Sequence, residues 1–167
     1  DELPPDCAKT VFSCYEQRPV PCDDCRFCAH TEGCSKRDLD AFYAALEEAA
    51  LLVIATPVYH LSFPAPLKAL IDRLQRYWSA RFILGKRPPI ARAKRLVLLT
   101  VSGSGKEEGG LMLEKQLAPP LTVIHAAQTA CLHVTGADAP DFALEPYLER
   151  TRQIARALYQ DKTDASV

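Results

Sequence analysis

The sequence predicts an α/β chain, a doubly wound parallel sheet in a three-layer α/β/α arrangement. Two observations carry this. Leu51-Leu52-Val53-Ile54-Ala55 and Arg95-Leu96-Val97-Leu98-Leu99-Thr100-Val101 are nearly uniform apolar runs, the pattern of strands covered on both faces. Around them, apolar residues recur at i, i+3, i+4 and i+7, the pattern of helices that lay one face on such a sheet.

The elements follow in order. Lys9 to Tyr15, with β-branched and aromatic residues, predicts a short strand. A cysteine-rich segment interrupts the pattern at 21–35. Leu39, Phe42, Tyr43, Leu46, Ala49 and Ala50 share one helical face, with Ser35 or Asp38 expected to cap its start. The run at Leu51 is the next strand and ends at Thr56-Pro57. A helix is expected from Pro64 to Trp78, with Pro64 and Pro66 confined to its start. After Gly85, Pro88 and Pro89, the run at Arg95 gives another strand, closed by Ser102-Gly103-Ser104-Gly105. Met112 to Leu117 predicts a short helix stopped by Pro119-Pro120. Ala130 to Thr135 predicts the last strand, and Tyr147, Leu148, Thr151, Ile154, Ala155 and Leu158 the last helix.

The bulk properties narrow the function. The 167 residues fit a single domain over 1–167, 48% hydrophobic and 25% charged. Twenty basic residues balance twenty-one acidic ones, so nothing favours nucleic acid or an anionic membrane as a partner. No apolar run approaches the roughly 20 residues of a membrane span. The opening Asp1-Glu2-Leu3-Pro4-Pro5 lacks the basic and apolar regions of a signal peptide. Seven cysteines, an odd number in a chain with ample core, read as reduced thiols in a cytoplasmic protein, some of them ligands.

Cys22, Cys25 and Cys28 stand three residues apart, and Cys34 follows after five residues. Two-residue gaps let one tight turn present three thiolates together, which suits a [4Fe–4S] cluster. Pro21 stiffens the approach, and Gly33 lets the chain turn back before Cys34. A structural zinc ion, with His30 as a possible fourth ligand, and a metal-free thiol group are the alternatives. Cys7, Cys14 and Cys131 lie outside the group, and Cys131 reads as a small buried hydrophobe.

In open parallel sheets, ligands sit beyond the carboxyl ends of the strands. Two such ends stand out. Thr56-Pro57-Val58-Tyr59-His60 offers an aliphatic and an aromatic wall with backbone N–H groups, features a flavin ring needs, although an ordinary strand-to-helix loop has the same composition. Ser102-Gly103-Ser104-Gly105-Lys106 is able to bring backbone close to a ligand, although such a loop is more often an ordinary turn, and it is not a Walker A loop. His60, His125 and His133 have no metal-like spacing and read as structural. Asp72-Arg73 reads as a local ion pair. Arg76, Tyr77, Trp78 and Arg81 fit either a partner surface or, for Trp78, the core. No residue stands out as a general acid or base.

Together these motifs resemble the iron–sulfur flavoprotein branch of the NAD(P)H-dependent FMN reductase family, from about Cys14 to Gly110 and more loosely beyond. The resemblance rests on Pro21-Cys22-Asp23-Asp24-Cys25-Arg26-Phe27-Cys28, Gly33-Cys34, Asp38, Thr56-Pro57-Val58-Tyr59, Pro66-Leu67-Lys68-Ala69-Leu70-Ile71-Asp72-Arg73 and Gly85-Lys86-Arg87-Pro88. It implies a flavodoxin-like fold with a cysteine loop inserted at 21–35. It implies a [4Fe–4S] cluster on Cys22, Cys25, Cys28 and Cys34. It implies FMN held by Thr56, Pro57, Val58, Tyr59 and His60, with Ser102, Gly103, Ser104 and Gly105 closing the other side. Family members are homodimers or homotetramers. Their donors would be a ferredoxin or NAD(P)H, and their acceptors a quinone, an oxygen species or a redox protein. The family begins with a strand and a phosphate-binding loop that do not appear before Asp1. In a 2-1-3-4-5 sheet that strand is central, so its absence is expected to leave an apolar slot. The alternatives are a cluster-free FMN reductase and a non-enzymatic, zinc-stabilised interaction domain.

Overall fold

The computed structural model describes residues 7–164, so the expectation for Asp1 to Pro5 lies outside the described residues. Three parallel strands form one sheet in the order β1 (Leu51–Pro57), β2 (Lys94–Val101), β3 (Ala126–Val134). Six helices accompany them: α1 (Cys14–Gln17), α2 (Asp40–Glu48), α3 (Ala65–Asp72), α4 (Gln75–Phe82), α5 (Glu108–Val123) and α6 (Glu145–Asp164).

The alternation of side chains along β2 builds two cores. Leu96 and Leu98 point into a large cluster with Leu39, Tyr43, Leu70, Tyr77, Leu113 and Leu117 from the α2–α5 layer. Val97 and Leu99 point the other way and pack with Ile154 and Leu158 of α6. The result is the flavodoxin-like three-layer α/β arrangement. The expected apolar slot between strands is not seen among the described residues; the sheet ends at β1 in an open edge. Among the described residues, β1 has no partner on its outer edge, and Val53 within it is 50% exposed.

Several boundaries differ from the sequence expectation, each for a physical reason. Residues 9–13 form no strand, and Val11 is 92% exposed with no sheet beside it. Ser13 instead caps α1, its Oγ accepting the Glu16 N–H at 3.4 Å. Neither Ser35 nor Asp38 caps α2, which starts after Leu39 without a side-chain cap. The helix expected over 64–78 is two helices. Between them the hydrogen bonds shorten to i→i+3, from Leu74 N–H to Ile71 O and from Tyr77 N–H to Leu74 O, while the buried Tyr43 hydroxyl donates to Arg73 O at 3.4 Å.

The third helix is also longer than expected. α5 starts four residues before Met112 and runs through Pro119-Pro120. Gly109 and Gly110 are tolerated there because a Cβ would strike Val58 and His133 respectively. The prolines lie near the end of the helix, where Leu117, Leu121 and Val123 are buried and Thr122 Oγ1 donates to Pro119 O at 2.8 Å. β3 begins at Ala126, before the expected Ala130, and its register against β2 shifts between Leu96 and Val97. That irregularity falls at the polar Gln128-Thr129, which masks the strand in sequence.

The cysteine segment is closed by one buried side chain. Arg73, at the end of α3, is 2% exposed. Its Nη1 donates to Val20 O at 2.8 Å and to Asp38 Oδ1 at 3.0 Å, and its Nη2 donates to Lys36 O at 2.9 Å. Asp38 Oδ2 in turn accepts the Val20 N–H at 2.9 Å. Val20 and Asp38 therefore meet on one guanidinium, and all four cysteines lie between them. Burial pushes the Asp38 carboxyl up, but the Val20 N–H and the Arg73 charge outweigh it and hold it below the ordinary carboxylate range.

Two outcomes follow. Asp38→Asn leaves a buried guanidinium short of its counter-charge and should cost about 3 kcal/mol in urea unfolding at pH 7. The folded carboxyl titrates below the unfolded one, so its stabilisation is complete above the unfolded value. It is lost as pH falls through the folded value. The gap between wild type and Asp38→Asn should thus hold steady at neutral pH and shrink below about pH 4. In the sheet, Leu98→Ala should cost about 2–5 kcal/mol by the same measurement, since Leu98 is fully buried in β2.

Candidate functional site

Cys22, Cys25, Cys28 and Cys34 all line one cavity of about 220 Å³. Its floor is α4 and the turn before it, through Arg73, Arg76, Trp78 and Ser79, with Ile83 beyond the helix end. The chain reaches this shape by reversing sharply. Asp24 (φ 53°) and Arg26 (φ 59°) sit in the left-handed region between the first three cysteines, and a 3₁₀ turn over Phe27–Ala29 carries Cys28 inward. Gly33 takes φ 116°, which explains the glycine before Cys34. The two arms of the loop are pinned together by Lys36 Nζ on Asp23 Oδ2 at 2.6 Å and by Cys25 Sγ against Ser35 Oγ at 3.1 Å. Cys28 Sγ meets Ser79 Oγ of α4 at 3.4 Å.

The electrostatics favour a thiolate at Cys25. The Ser35 hydroxyl and the Phe27 N–H lower the Cys25 thiol below its ordinary value. Four basic side chains line the cavity: Arg26, Lys36, Arg73 and Arg76. The Arg73 Nε is buried without a hydrogen-bond partner, and Arg73 is among the residues that line the cavity.

No three ligand atoms of this loop lie within 4.8 Å of one another among the described residues. A tetrahedral zinc ion holds thiolates at about 2.3 Å and so draws neighbouring ligands to roughly 3.3–3.8 Å. A cube with its own iron and sulfide atoms spaces its thiolates more widely. His30, the alternative fourth ligand, does not line the cavity.

The two strand-end loops lie side by side at the carboxyl edge of the sheet. Pro57 pairs with Val101, and the Val58 N–H donates to Val101 O at 2.8 Å. Tyr59 and Ser62 exchange backbone hydrogen bonds at 3.0 and 2.9 Å, closing a turn in which His60 and Leu61 both take positive φ. The N–H groups of Val58 and Tyr59 are therefore spent within the protein. Thr56 is buried, while the Tyr59 ring is 53% exposed and available as a flat wall.

Across the edge, Ser102 N–H donates to Val134 O, and Gly136 N–H to Ser104 O at 2.7 Å. Gly103 lies so close to Asp138 that a Cβ would strike its carboxylate. Thr56–His60 and Ser102–Gly105 thus form one rim. No residue of that rim lines the cysteine cavity, so the structure separates the two places.

Other residues resolve as follows. Asp72 pairs locally with Lys68 at 2.6 Å, whereas Arg73 reaches across the fold. Tyr77 is buried with its hydroxyl donating to Glu47, and Arg76 lies over the Tyr43 ring at 4.2 Å. Trp78 is half-exposed at the cavity rather than in the core. Cys131 is partly buried, packs against the core and is also close to Glu114. Burial and that carboxylate both raise its thiol. His133 is not isolated either, and its ring joins Thr100 to Glu114. In sequence, Cys131 and His133 are visible as two residues on one strand face, but nothing there marks Glu114 as their partner.

Comparison with known proteins follows the same lines. Residues 3–139 match a family described as NADPH-dependent FMN reductase. The NADH-dependent FMN reductase SfnF of Pseudomonas fluorescens is 31% identical over 71% of this chain and 57% of its own length. An iron-sulfur flavoprotein of Methanosarcina thermophila is 38% identical over 38% of this chain and 34% of its own. An FMN-dependent NADH:quinone oxidoreductase of Jannaschia is 36% identical over 48% of this chain and 38% of its own. The chain thus spans between about a third and just over half the length of these curated relatives. On the extent of the family match, this chain belongs to the NADPH-dependent FMN reductase family.

Proposed function

We propose that the chain is part of an FMN-dependent oxidoreductase that also carries a [4Fe–4S] cluster, passing electrons between a reduced donor, a ferredoxin or NAD(P)H, and a quinone, oxygen species or redox protein. The observation that carries the cluster is the cysteine cavity: four thiols lining one space, no three of them within 4.8 Å of one another among the described residues, with Arg73 and Arg76 on its floor. The flavin rests on family membership and on the rim at the sheet edge.

Cys22, Cys25, Cys28 and Cys34 would hold the cluster. Ser35 and Ser79 meet two of the sulfurs and fix their orientation. Arg73 lines the cavity and offers positive charge beside an anionic group, which favours its reduced form. Tyr59 would face the isoalloxazine from one side, and Ser102 to Gly105 would bound it from the other. When both groups are bound, the flavin supplies two-electron chemistry and the cluster one-electron transfer. The cavity and the rim are distinct, which favours a homodimer or homotetramer in which one subunit's cluster serves another's flavin. Trp78, Phe82, Ile83 and Leu84 are exposed along and beyond α4, next to the cavity, and offer an apolar surface for that contact.

A cluster-free FMN reductase is the second reading, favoured by the likeness to SfnF. Cys25→Ser separates the two. Anaerobically purified Cys25→Ser protein should lose nearly all iron and the broad absorption near ~400 nm, with flavin content unchanged. Equal iron in mutant and wild type would remove Cys25 from the ligands. At the rim, Tyr59→Ala should weaken FMN about tenfold, roughly 1.4 kcal/mol, by quenching of flavin fluorescence. An unchanged affinity would place the ring elsewhere.

A further inference from the structure

We propose that Glu114, Cys131 and His133 form a binding site for a divalent cation of the zinc class, separate from the cysteine loop. One carboxylate oxygen, one sulfur and one imidazole nitrogen here lie within 4.8 Å of one another, the sole such group among the described residues. This inference is independent of the proposed redox function.

The fold assembles the group from two elements. Cys131 and His133 are two residues apart on β3, so both side chains leave the same face of the sheet. α5 crosses that face, and Gly110 allows the close approach, since a Cβ there would overlap the His133 ring. Glu114, one turn further along α5, then meets His133 Nε2 through Oε1 at 2.7 Å.

Each ligand is already oriented by a neighbour. Thr100 Oγ1, the register partner of His133 on β2, contacts Nδ1 at 2.8 Å and leaves Nε2 directed at the site. Gln128 Nε2 donates to Glu114 Oε2 at 2.5 Å, leaving Oε1 free to face the histidine. Such outer partners are what fix the tautomer and angle of metal ligands. The His133 side chain is 8% exposed and that of Glu114 23%, so the site is sheltered and still reachable from solvent.

The donor set selects the cation. One thiolate, one imidazole and one carboxylate suit zinc or cobalt far better than calcium or magnesium, which prefer oxygen alone. Zinc bonds of about 2.0–2.3 Å need ligand atoms roughly 3.3–3.8 Å apart, so Glu114 and His133 must open slightly from their direct hydrogen bond. Binding exchanges that hydrogen bond for three metal–ligand bonds: the Cys131 S–H proton leaves to solvent, and the imidazole proton moves from Nε2 to Nδ1, which then donates to Thr100 Oγ1. A water molecule completes the fourth position. The ion would staple the edge strand β3 to α5.

Titration of the purified protein with Co²⁺ tests this, since a cobalt–thiolate bond absorbs in the near ultraviolet. Wild type should bind one more equivalent than Cys131→Ser and show cobalt–thiolate absorption in excess of the mutant's. The four loop cysteines are common to both proteins, so the difference reports Cys131 alone. Glu114→Gln, which keeps the shape of the side chain, should bind Co²⁺ at least tenfold more weakly with an unchanged far-ultraviolet circular dichroism spectrum. Equal uptake and equal spectra for wild type and Cys131→Ser would overturn the site and leave a hydrogen-bonded Thr100–His133–Glu114 group.

Discussion

One guanidinium holds the cysteine loop to the rest of the molecule. Arg73 leaves α3 where the helix tightens, and it gathers Val20 O, Lys36 O and the Asp38 carboxylate onto its two Nη atoms. A loop that begins and ends on a single buried side chain has a fixed mouth, whatever its interior does. Forcing a charge to be 2% exposed is costly unless its partners are in place, so the loop cannot detach without leaving that charge uncompensated. The same residue also lines the cysteine cavity, so closing the loop and walling the site fall to one side chain.

The strands β1 and β2 were legible because nearly uniform apolar runs suit strands covered on both faces. Leu51 to Ala55 and Leu96 to Val101 could hardly be anything else. The cysteine spacing, Gly33 and the Pro64/Pro66 helix start were legible for the same reason: each has a narrow steric meaning. Local signals failed where a distant partner decides the outcome. Ser13 turned an apparent strand into a helical turn because no neighbouring strand lies beside Val11. Gly109 and Gly110 look like helix breakers, yet they sit inside α5 because Val58 and His133 need the space. Asp38 looks like a cap, but a buried arginine thirty-five residues away claims it.

The functional residues divide in the same way. The loop cysteines and the two strand-end loops were readable as segments, since each is contiguous. Their mutual placement was not readable, and the fold sets the cysteine cavity apart from the rim at the sheet edge. The group of Glu114, Cys131 and His133 was invisible because its members lie on two elements joined only by packing. Three chemistries are therefore distributed over one small sheet: a sulfur-lined cavity on the α4 side, an aromatic rim at the strand ends, and a mixed-ligand corner between α5 and β3. The two loops are each tied to a rigid element, the cysteine loop by Arg73 and the rim by the strand ends, and the third group sits on β3 and α5 directly.

The central claim is that the loop closed by Arg73 holds a redox group in addition to the flavin. An anaerobic reductive titration of the purified, FMN-loaded protein tests it most directly, because it counts electrons without reference to any partner. Flavin and cluster together should take up about three electrons per chain, two by the flavin and one by the cluster. An end point at about two, with the flavin fully reduced, would show that the cysteine cavity holds no electron acceptor and would contradict the account.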